Sequence, residues 1–466
     1  MRRRDFLELA AAATVAVGGC RHAKVTTPGA AQSVVSRGKL RVAVIGVGGQ
    51  GVTNWRAIRD GGDRIVALCD VDETNLRTAQ KELTRKQREL NVYRDFRVML
   101  DKERDLDAVF ICTPDHGHAV QAKWALERNI PVYIEPPLAH TVAGVRQIHA
   151  LAQEKQLPLW MGVQNRMTRE SRRAANCLDT GIIGRIRSIV AWTSHPLWQQ
   201  GIPRPDGTDP IPDTLDWDLW LGPAQSCPFK ANVYHPYNWR GWCAFGTGAL
   251  GEAGTSLLQL PFEMLDIPPL TQVQCVKGNC EGDSYPKSTH LRFTFQRAKK
   301  GWFSKRPEPI TLDWHDGNDL PDFSAFSQLE KAFGQKMPVN ACLLVGEYGM
   351  WLIGQINGRE HFLALNGEDR FVSAEKHPAC EAIALPSRNI SMQKTFLDRI
   401  RRGSRNSHAL HFGYTQSMMD TILCGCIVQQ LPHGLPLRWN AAKMRFEGET
   451  EDRANALVSQ PVREGW

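Results

Sequence analysis

Three short runs carry residue types and spacings that can do chemistry. In the first, an apolar stretch over residues 40–45 runs straight into Gly46-x-Gly48-x-x-Gly51. Gly46 permits a tight turn, Gly48 lets backbone approach a pyrophosphate, and Gly51 lets the next helix pack close to its strand. That helix then offers N–H donors and the positive end of its dipole. In the second run, residues 64–69 end at Asp70, nineteen positions after Gly51. A carboxylate there accepts from ribose hydroxyls and repels a 2′-phosphate, which favours NAD over NADP. Asp72, two positions on, reads as a turn residue. In the third, residues 109–112 lead into Thr113-Pro114-Asp115-His116-Gly117-His118. Strand carboxyl ends face the ligand crevice of an open α/β sheet, so Thr113, Pro114, His116 and His118 are expected over the nicotinamide side.

These runs need a frame. Apolar runs at 39–46, 64–69, 107–112, 131–135 and 157–162 alternate with helical periods at 50–60, 73–90, 116–128 and 141–154. Strand–helix alternation of this kind gives a parallel, doubly wound sheet, so residues 39–162 are expected to form a Rossmann domain of an α/β protein. At 466 residues the chain exceeds one compact core. Residues 163–437 read as a second, substrate-binding domain of short strands and Pro/Gly-rich loops, with late helices at 389–402 and 411–430. Residues 438–466 read as a polar wrap.

The second half adds its own candidates. The loop over 201–228 is long enough to be functional, and Trp217, Trp220, Trp239 and Trp242 lie near it with Tyr234, Tyr237 and His235. Aromatic faces interleaved with polar groups suit a carbohydrate, although about half of these tryptophans are expected to be core. His235 and Arg240 are the candidates for substrate contact.

Taken in order, a set of motifs resembles the glucose–fructose oxidoreductase / inositol dehydrogenase / MocA family, and most closely its exported bacterial branch. They are Gly46-x-Gly48-Gly49-x-Gly51, Thr113-Pro114-Asp115-His116-x-His118, Glu135-Pro136-Pro137, Gly162-Val163-Gln164-Asn165-Arg166, Asp216-Trp217-Asp218, Asn238-Trp239-Arg240 and Phe245-Gly246-Thr247 through Glu252. The resemblance spans nearly the whole chain after its N-terminal segment. It implies a C-terminal α+β domain with a large, mostly antiparallel open sheet, a homo-oligomer, and Gly49, Glu135 and Gln164 among the cofactor contacts. It also implies hydride transfer between a sugar or polyol hydroxyl and the nicotinamide. That chemistry needs a proton acceptor and a cation for the developing alkoxide. The family supplies a lysine, an aspartate and a histidine, and here those positions hold Pro136, Glu252 and Ser256. Glu252 keeps a carboxylate, so it is the first catalytic candidate, with His116 and His235 as substitutes. Three readings follow: an NAD-dependent sugar oxidoreductase, a redox-inactive nucleotide- or sugar-binding protein, and a cofactor-assisted lyase or glycoside-cleaving enzyme.

The N-terminus reads as an address. Arg3-Arg4-Asp5-Phe6-Leu7 and a short apolar run fit a twin-arginine signal over residues 1–20, and Val17-Gly18-Gly19-Cys20 fits a lipobox with Cys20 acylated. Residues 21–38 read as a tether. The expected destination is the periplasm, with the membrane engaged only through that lipid. Export favours a cofactor loaded beforehand and held tightly. The net charge of +8 is spread along the chain, and its densest cluster, Arg399, Arg401, Arg402 and Arg405, ends a helix where cations meet the negative dipole pole. No nucleic acid partner is expected. No cysteine spacing reads as a zinc site; Cys275 and Cys280 are a possible pair across a turn.

Overall fold

The computed structural model describes residues 38–85, 89–278, 280, 282–297, 308–317, 319–321, 334, 337–403, 412–432, 434–448 and 451–466. The signal, the tether up to residue 37 and Cys20 lie outside them.

The first half folds as the alternation requires. Strands β1 (Arg41–Ile45), β2 (Arg64–Cys69), β3 (Asn91–Tyr93), β4 (Ala108–Ile111), β5 (Val132–Ile134) and β6 (Leu159–Met161) make a parallel sheet in the order β3-β2-β1-β4-β5-β6. Helices α1 (Gln50–Asp60), α2 (Glu73–Leu83), α3 (Phe96–Lys102), α4 (His118–Glu127) and α5 (Val142–Glu154) make the crossovers. Central β4 is buried along its whole length, as a strand covered on both faces must be. The strand order reverses between β1 and β4, which opens a crevice at their carboxyl ends.

Two expectations are corrected here. The helix expected over 73–90 stops at Leu83, and the segment beyond it supplies β3 and then α3, whose first turn is capped by Asp95 through the Arg97 N–H. The helix expected from residue 116 is preceded by a single 3-10 turn over Asp115–Gly117.

In the second half, α6 (Arg169–Asp179) leads into β7 (Ile186–Trp192). After it come α7 (Trp217–Leu221), α8 (Gly248–Met264), β8 (Leu270–Lys277), β9 (Thr289–Phe295), β10 (Ile310–Asp316), β11 (Ala341–Gly346), β12 (Gly349–Gly354), β13 (Glu360–Leu365), β14 (Val372–Ser373), α9 (Met392–Arg401), α10 (Phe412–Val428), β15 (Leu437–Asn440), β16 (Arg445–Glu447) and α11 (Glu451–Val458). Among the described residues these strands form a ten-stranded sheet, β14-β13-β12-β11-β7-β10-β9-β8-β15-β16. Every pairing in it is antiparallel except β7 with β10. The polar wrap expected after residue 437 is therefore partly sheet, since β16 lies inside it.

The apolar face of α9 does not join this sheet. Met392, Phe396, Leu397 and Ile400 pack with Phe110, Tyr133 and Trp160 of the Rossmann core, so a late helix completes the early domain. No described helix is long and apolar enough to cross a membrane.

Candidate functional site

The crevice continues into a cleft of about 1080 Å³ that both halves line. Its nucleotide end is built on the glycine loop. Gly46 has φ +79°, and a Cβ there would come within 2.7 Å of the Cys112 backbone at the end of β4. At Gly51 a Cβ would come within 2.1 Å of the Gly46 carbonyl oxygen, so α1 starts where only glycine fits. No side chain caps α1; the Gly51 and Val52 N–H groups turn back onto the Gly48 and Gly49 carbonyl oxygens (2.8 and 3.2 Å), which holds the glycine loop against the start of the helix. Gly46, Gly48 and Gly49 line the cleft, and Gly51 packs behind them.

Asp70 stands at the end of β2 and also lines the cleft. Its carboxylate accepts from the N–H groups of Val47 (2.8 Å), Gly48 (3.3 Å) and Asp72 (2.9 Å), so the same residue shapes the glycine loop. Burial pushes its carboxyl above the usual range, against those hydrogen bonds.

Asp72 is more than a turn residue. It accepts from the Thr74 N–H (2.9 Å), capping α2, and its other oxygen lies 2.9 Å from His235 Nε2. Burial opposes its ionisation, but the His235 and Thr74 hydrogen bonds outweigh this and hold its carboxyl below the usual range. The long loop docks at the same place: Asp216 N–H donates to Val71 O (3.0 Å) and Glu73 N–H to Thr214 O (2.9 Å). His235 lines the cleft, but at this β2 end.

The other end gathers carboxyl groups. Glu135, at the end of β5, accepts from Asn54 Nδ2 at 2.7 Å, and Asn54 Oδ1 accepts from Gln393 Nε2 at 2.7 Å. Burial, with the nearby Glu252 adding to it, raises Glu135 to about 7 against the Asn54 hydrogen bond. Asp115 accepts from Thr247 Oγ1 at 2.6 Å. Burial raises it to about 8, Glu252 contributing and Arg240 opposing. Glu252, on α8, accepts from Arg240 Nε at 3.2 Å, and that guanidinium lies over the Trp239 and Tyr237 rings at 4.4 and 4.7 Å. Pro136 and Ser256 face the same cleft. Gln164 lines it too, with its buried Nε2 lacking a partner in the protein, as a ligand-binding amide would.

Two expected residues do not open into the cleft. The His116 ring lies between the carbonyls of Trp220 (3.0 Å) and Phe245 (3.3 Å), and burial lowers it to about 4. His118 lies between the carbonyls of Pro137 (2.8 Å) and Thr113 (2.9 Å), likewise lowered by burial. Both expectations are corrected: each neutral ring donates from one nitrogen to one of these backbone carbonyls and so pins a loop beside the cleft. Thr113 and Pro114 themselves do line it.

All four tryptophans are buried, in one cluster with Tyr234 and Phe245. Trp217 stacks on Trp220 at 4.6 Å and 13°, and only Trp220 and Trp239 of the four reach the cleft. Sequence reasoning missed Asp115, Asn75, Asn357, Arg359 and Ser391, all of which line the cleft. A signal existed for one of these: Ser391 opens a helical period and does cap α9 through the Lys394 N–H.

Cys280 Sγ lies 3.7 Å from Cys243 Sγ, whereas Cys275 Sγ faces backbone carbonyls, so the expected Cys275–Cys280 pairing is corrected. Away from the cleft, His290, His315 and Asp319 approach one another. The two rings stack at 4.1 Å and 19°, His290 Nε2 meets Asp313 Oδ1 at 2.8 Å, and Lys277 pairs with Asp319.

Comparisons with known proteins agree with this architecture. Residues 40–163 match a family profile described as "Oxidoreductase family, NAD-binding Rossmann fold", and residues 194–266 match "Oxidoreductase family, C-terminal alpha/beta domain". An inositol 2-dehydrogenase of Saccharopolyspora erythraea is 32% identical over 149 residues, 31% of this chain and 43% of that protein. A glycosyl hydrolase family 109 protein of Shewanella sp. strain ANA-3 is 29% identical over 215 residues, 42% and 47% of the two chains. The matched segments thus span less than half the length of these relatives. Among solved structures, the WlbA dehydrogenase from Bordetella pertussis, in complex with NADH and UDP-GlcNAcA, superposes with a TM-score of 0.55 at 17% identity, over 87% of this chain and 99% of that one. Aldose-aldose oxidoreductase from Caulobacter crescentus does so with a TM-score of 0.56 at 16% identity, over 86% and 100%. At such identities the likeness is one of fold.

Proposed function

We propose, on the premise that this chain belongs to the Gfo/Idh/MocA oxidoreductase family, that its cleft holds NAD and oxidises a secondary alcohol of a sugar, polyol or glycoside. One observation carries the reading: the nucleotide loop of the first half and Arg240, Glu252 and Ser256 of the second line the same cleft. The glycine loop and α1 would take the pyrophosphate, Asp70 the ribose hydroxyls, and Gln164 with Glu135 the nicotinamide side. Asp70 is the ground for NAD over NADP, because a 2′-phosphate would meet its carboxylate.

A bound nicotinamide supplies the hydride acceptor. The chain's own part is to bind the alcohol, orient it and move its proton. Glu252 is the carboxylate placed to accept that proton, and Arg240 beside it is the cation for the developing alkoxide. His235, held by Asp72 at the ribose end, is assigned to positioning the nucleotide.

A second reading has its own observation. Pro136 cannot exchange a proton and Ser256 is a poor base, and losing a general acid–base group costs about 10²–10⁴-fold in rate. A binding protein without net turnover is therefore the runner-up. A cofactor-assisted lyase or glycoside-cleaving activity is the third reading, and the likeness to the Shewanella glycosyl hydrolase family 109 protein supports it.

The N-terminal pattern supports export by the twin-arginine route and anchoring in the periplasm through a lipid on Cys20, and the family resemblance favours a homo-oligomer. Acid extraction and mass spectrometry of purified protein are expected to release near-stoichiometric NAD. Incubation with sugars and inositols is then expected to produce the absorbance of reduced nicotinamide. Protein with neither bound NAD nor affinity for it would overturn the reading; bound NAD that no alcohol reduces would favour the runner-up.

A further inference from the structure

The charge around Glu135 is unbalanced. Its Oε1 accepts one hydrogen bond, from Asn54 on α1, and the charge facing it, from α8, is another carboxylate, Glu252. The Cys112 thiol, just past β4, and the Tyr133 phenol, on β5, both feel its charge and are kept neutral by burial. From α9 comes only the Gln393 amide, by way of Asn54. The next residue, Pro136, adds no charge, and among the described residues no cation pairs with Glu135. Asp115 extends the pattern from the 3-10 turn that follows β4. Arg240 bears on it, but that guanidinium is already engaged with Glu252. Arg359, the other arginine lining the cleft, acts on Glu170 and not on Glu135.

A wall of poorly solvated carboxyl groups stabilises a cation placed against it and does little for a neutral group. Oxidised and reduced nicotinamide nucleotides share every phosphate, ribose and adenine contact. They differ in the ring, which is cationic when oxidised and neutral when reduced. The carboxyl ends of β4 and β5 form the nicotinamide half of a Rossmann crevice.

We infer that Glu135, backed by Asp115 and Glu252, makes this cleft selective for the oxidised cofactor, holding NAD⁺ over NADH by a margin that grows as pH rises through neutrality. The inference rests on the reading that the cleft takes a nicotinamide nucleotide. The sign follows from the carboxyl groups. Below about pH 6, Glu135 and Asp115 are protonated and the two cofactor forms are treated alike. Above about pH 8 they ionise, more readily beside a cation than beside a neutral ring, so NAD⁺ binding releases protons and tightens with pH.

The test is equilibrium titration of the full chain, freed of co-purified nucleotide, with NAD⁺ and with NADH at about pH 6 and about pH 8.5. The ratio of the two dissociation constants cancels every shared contact. In the wild type it is expected to move about tenfold toward NAD⁺ across that range, and less than about threefold in Glu135→Gln. A far-UV circular dichroism spectrum and a denaturant midpoint like those of the wild type report an intact fold in the variant; if the variant does not fold, the wild-type ratio decides alone. A ratio that stays flat in the wild type, or that moves equally in the variant, overturns the inference. Failure to bind either form would instead remove the cofactor reading itself.

Discussion

Asp115 concentrates the tension in this site. A carboxyl group 4% exposed, bonded to Thr247 and facing Glu252, stays protonated in the folded protein to about pH 8. Unfolded, it ionises near 4, so between those values the folded state binds the extra proton and stability falls as pH rises. Each pH unit in that window costs about 1.4 kcal/mol for this one group. Asp115→Asn is expected to remove the slope: denaturant midpoints at about pH 5 and about pH 8 should differ less in the variant than in the wild type. If both proteins show the same slope, Asp115 is ionised in the fold. The sequence did not single out Asp115, although its neighbours His116 and His118 stood out. The reason is physical: its character is set by Thr247 and Glu252, which only tertiary structure brings near, while a histidine pair draws notice by residue type. Asp70 was legible because both of its neighbours, the strand and the glycine loop, are local.

Periodicity located the strands of the first sheet to within a residue or two, since buried parallel strands are continuous apolar runs bounded by turn residues. It missed β3, three residues long with little burial, and it could not tell which sheet α9 covers. An apolar helix face announces that it will be buried but not where, and α9 lies more than two hundred residues beyond the sheet it completes. Phe396 fixes it there, fully buried with ring centroids 5.7 Å from those of Phe110, Tyr133 and Trp160. Phe396→Ala leaves a cavity under three aromatic rings and is expected to cost about 3–5 kcal/mol in denaturant unfolding. The same helix carries Gln393, which holds Asn54 against Glu135, so weaker nucleotide binding is expected alongside the lost stability. Lost stability with unchanged nucleotide affinity would separate α9 from the site.

At the scale of the molecule, the cleft keeps its shape only if the two halves hold their mutual position, and few of those ties are visible from sequence order. The early and late segments interleave: α9 serves the first sheet, and α10 packs against α5. Arg146 on α5 and Asp420 on α10 form an ion pair across that contact, the Asp420 side chain 6% exposed and the Arg146 side chain 25% exposed. Burial raises the Asp420 carboxyl, and the arginine opposes the rise. The partners are not equivalent. A stranded arginine can reach water, whereas a stranded Asp420 stays buried and must either remain charged at high cost or take up a proton. Arg146→Met is therefore expected to destabilise by about 3–5 kcal/mol near neutral pH. The loss should shrink as pH falls, because without the arginine the folded carboxyl binds its proton more tightly than the unfolded one does. Replacing both partners, as Arg146→Met with Asp420→Leu, removes the buried charge and is expected to recover most of the stability. Calorimetry of the three proteins at two pH values distinguishes the cases. A single cooperative transition that moves as a whole would mean the two halves unfold together. If Arg146→Met instead splits the transition in two, this ion pair is what joins their stabilities.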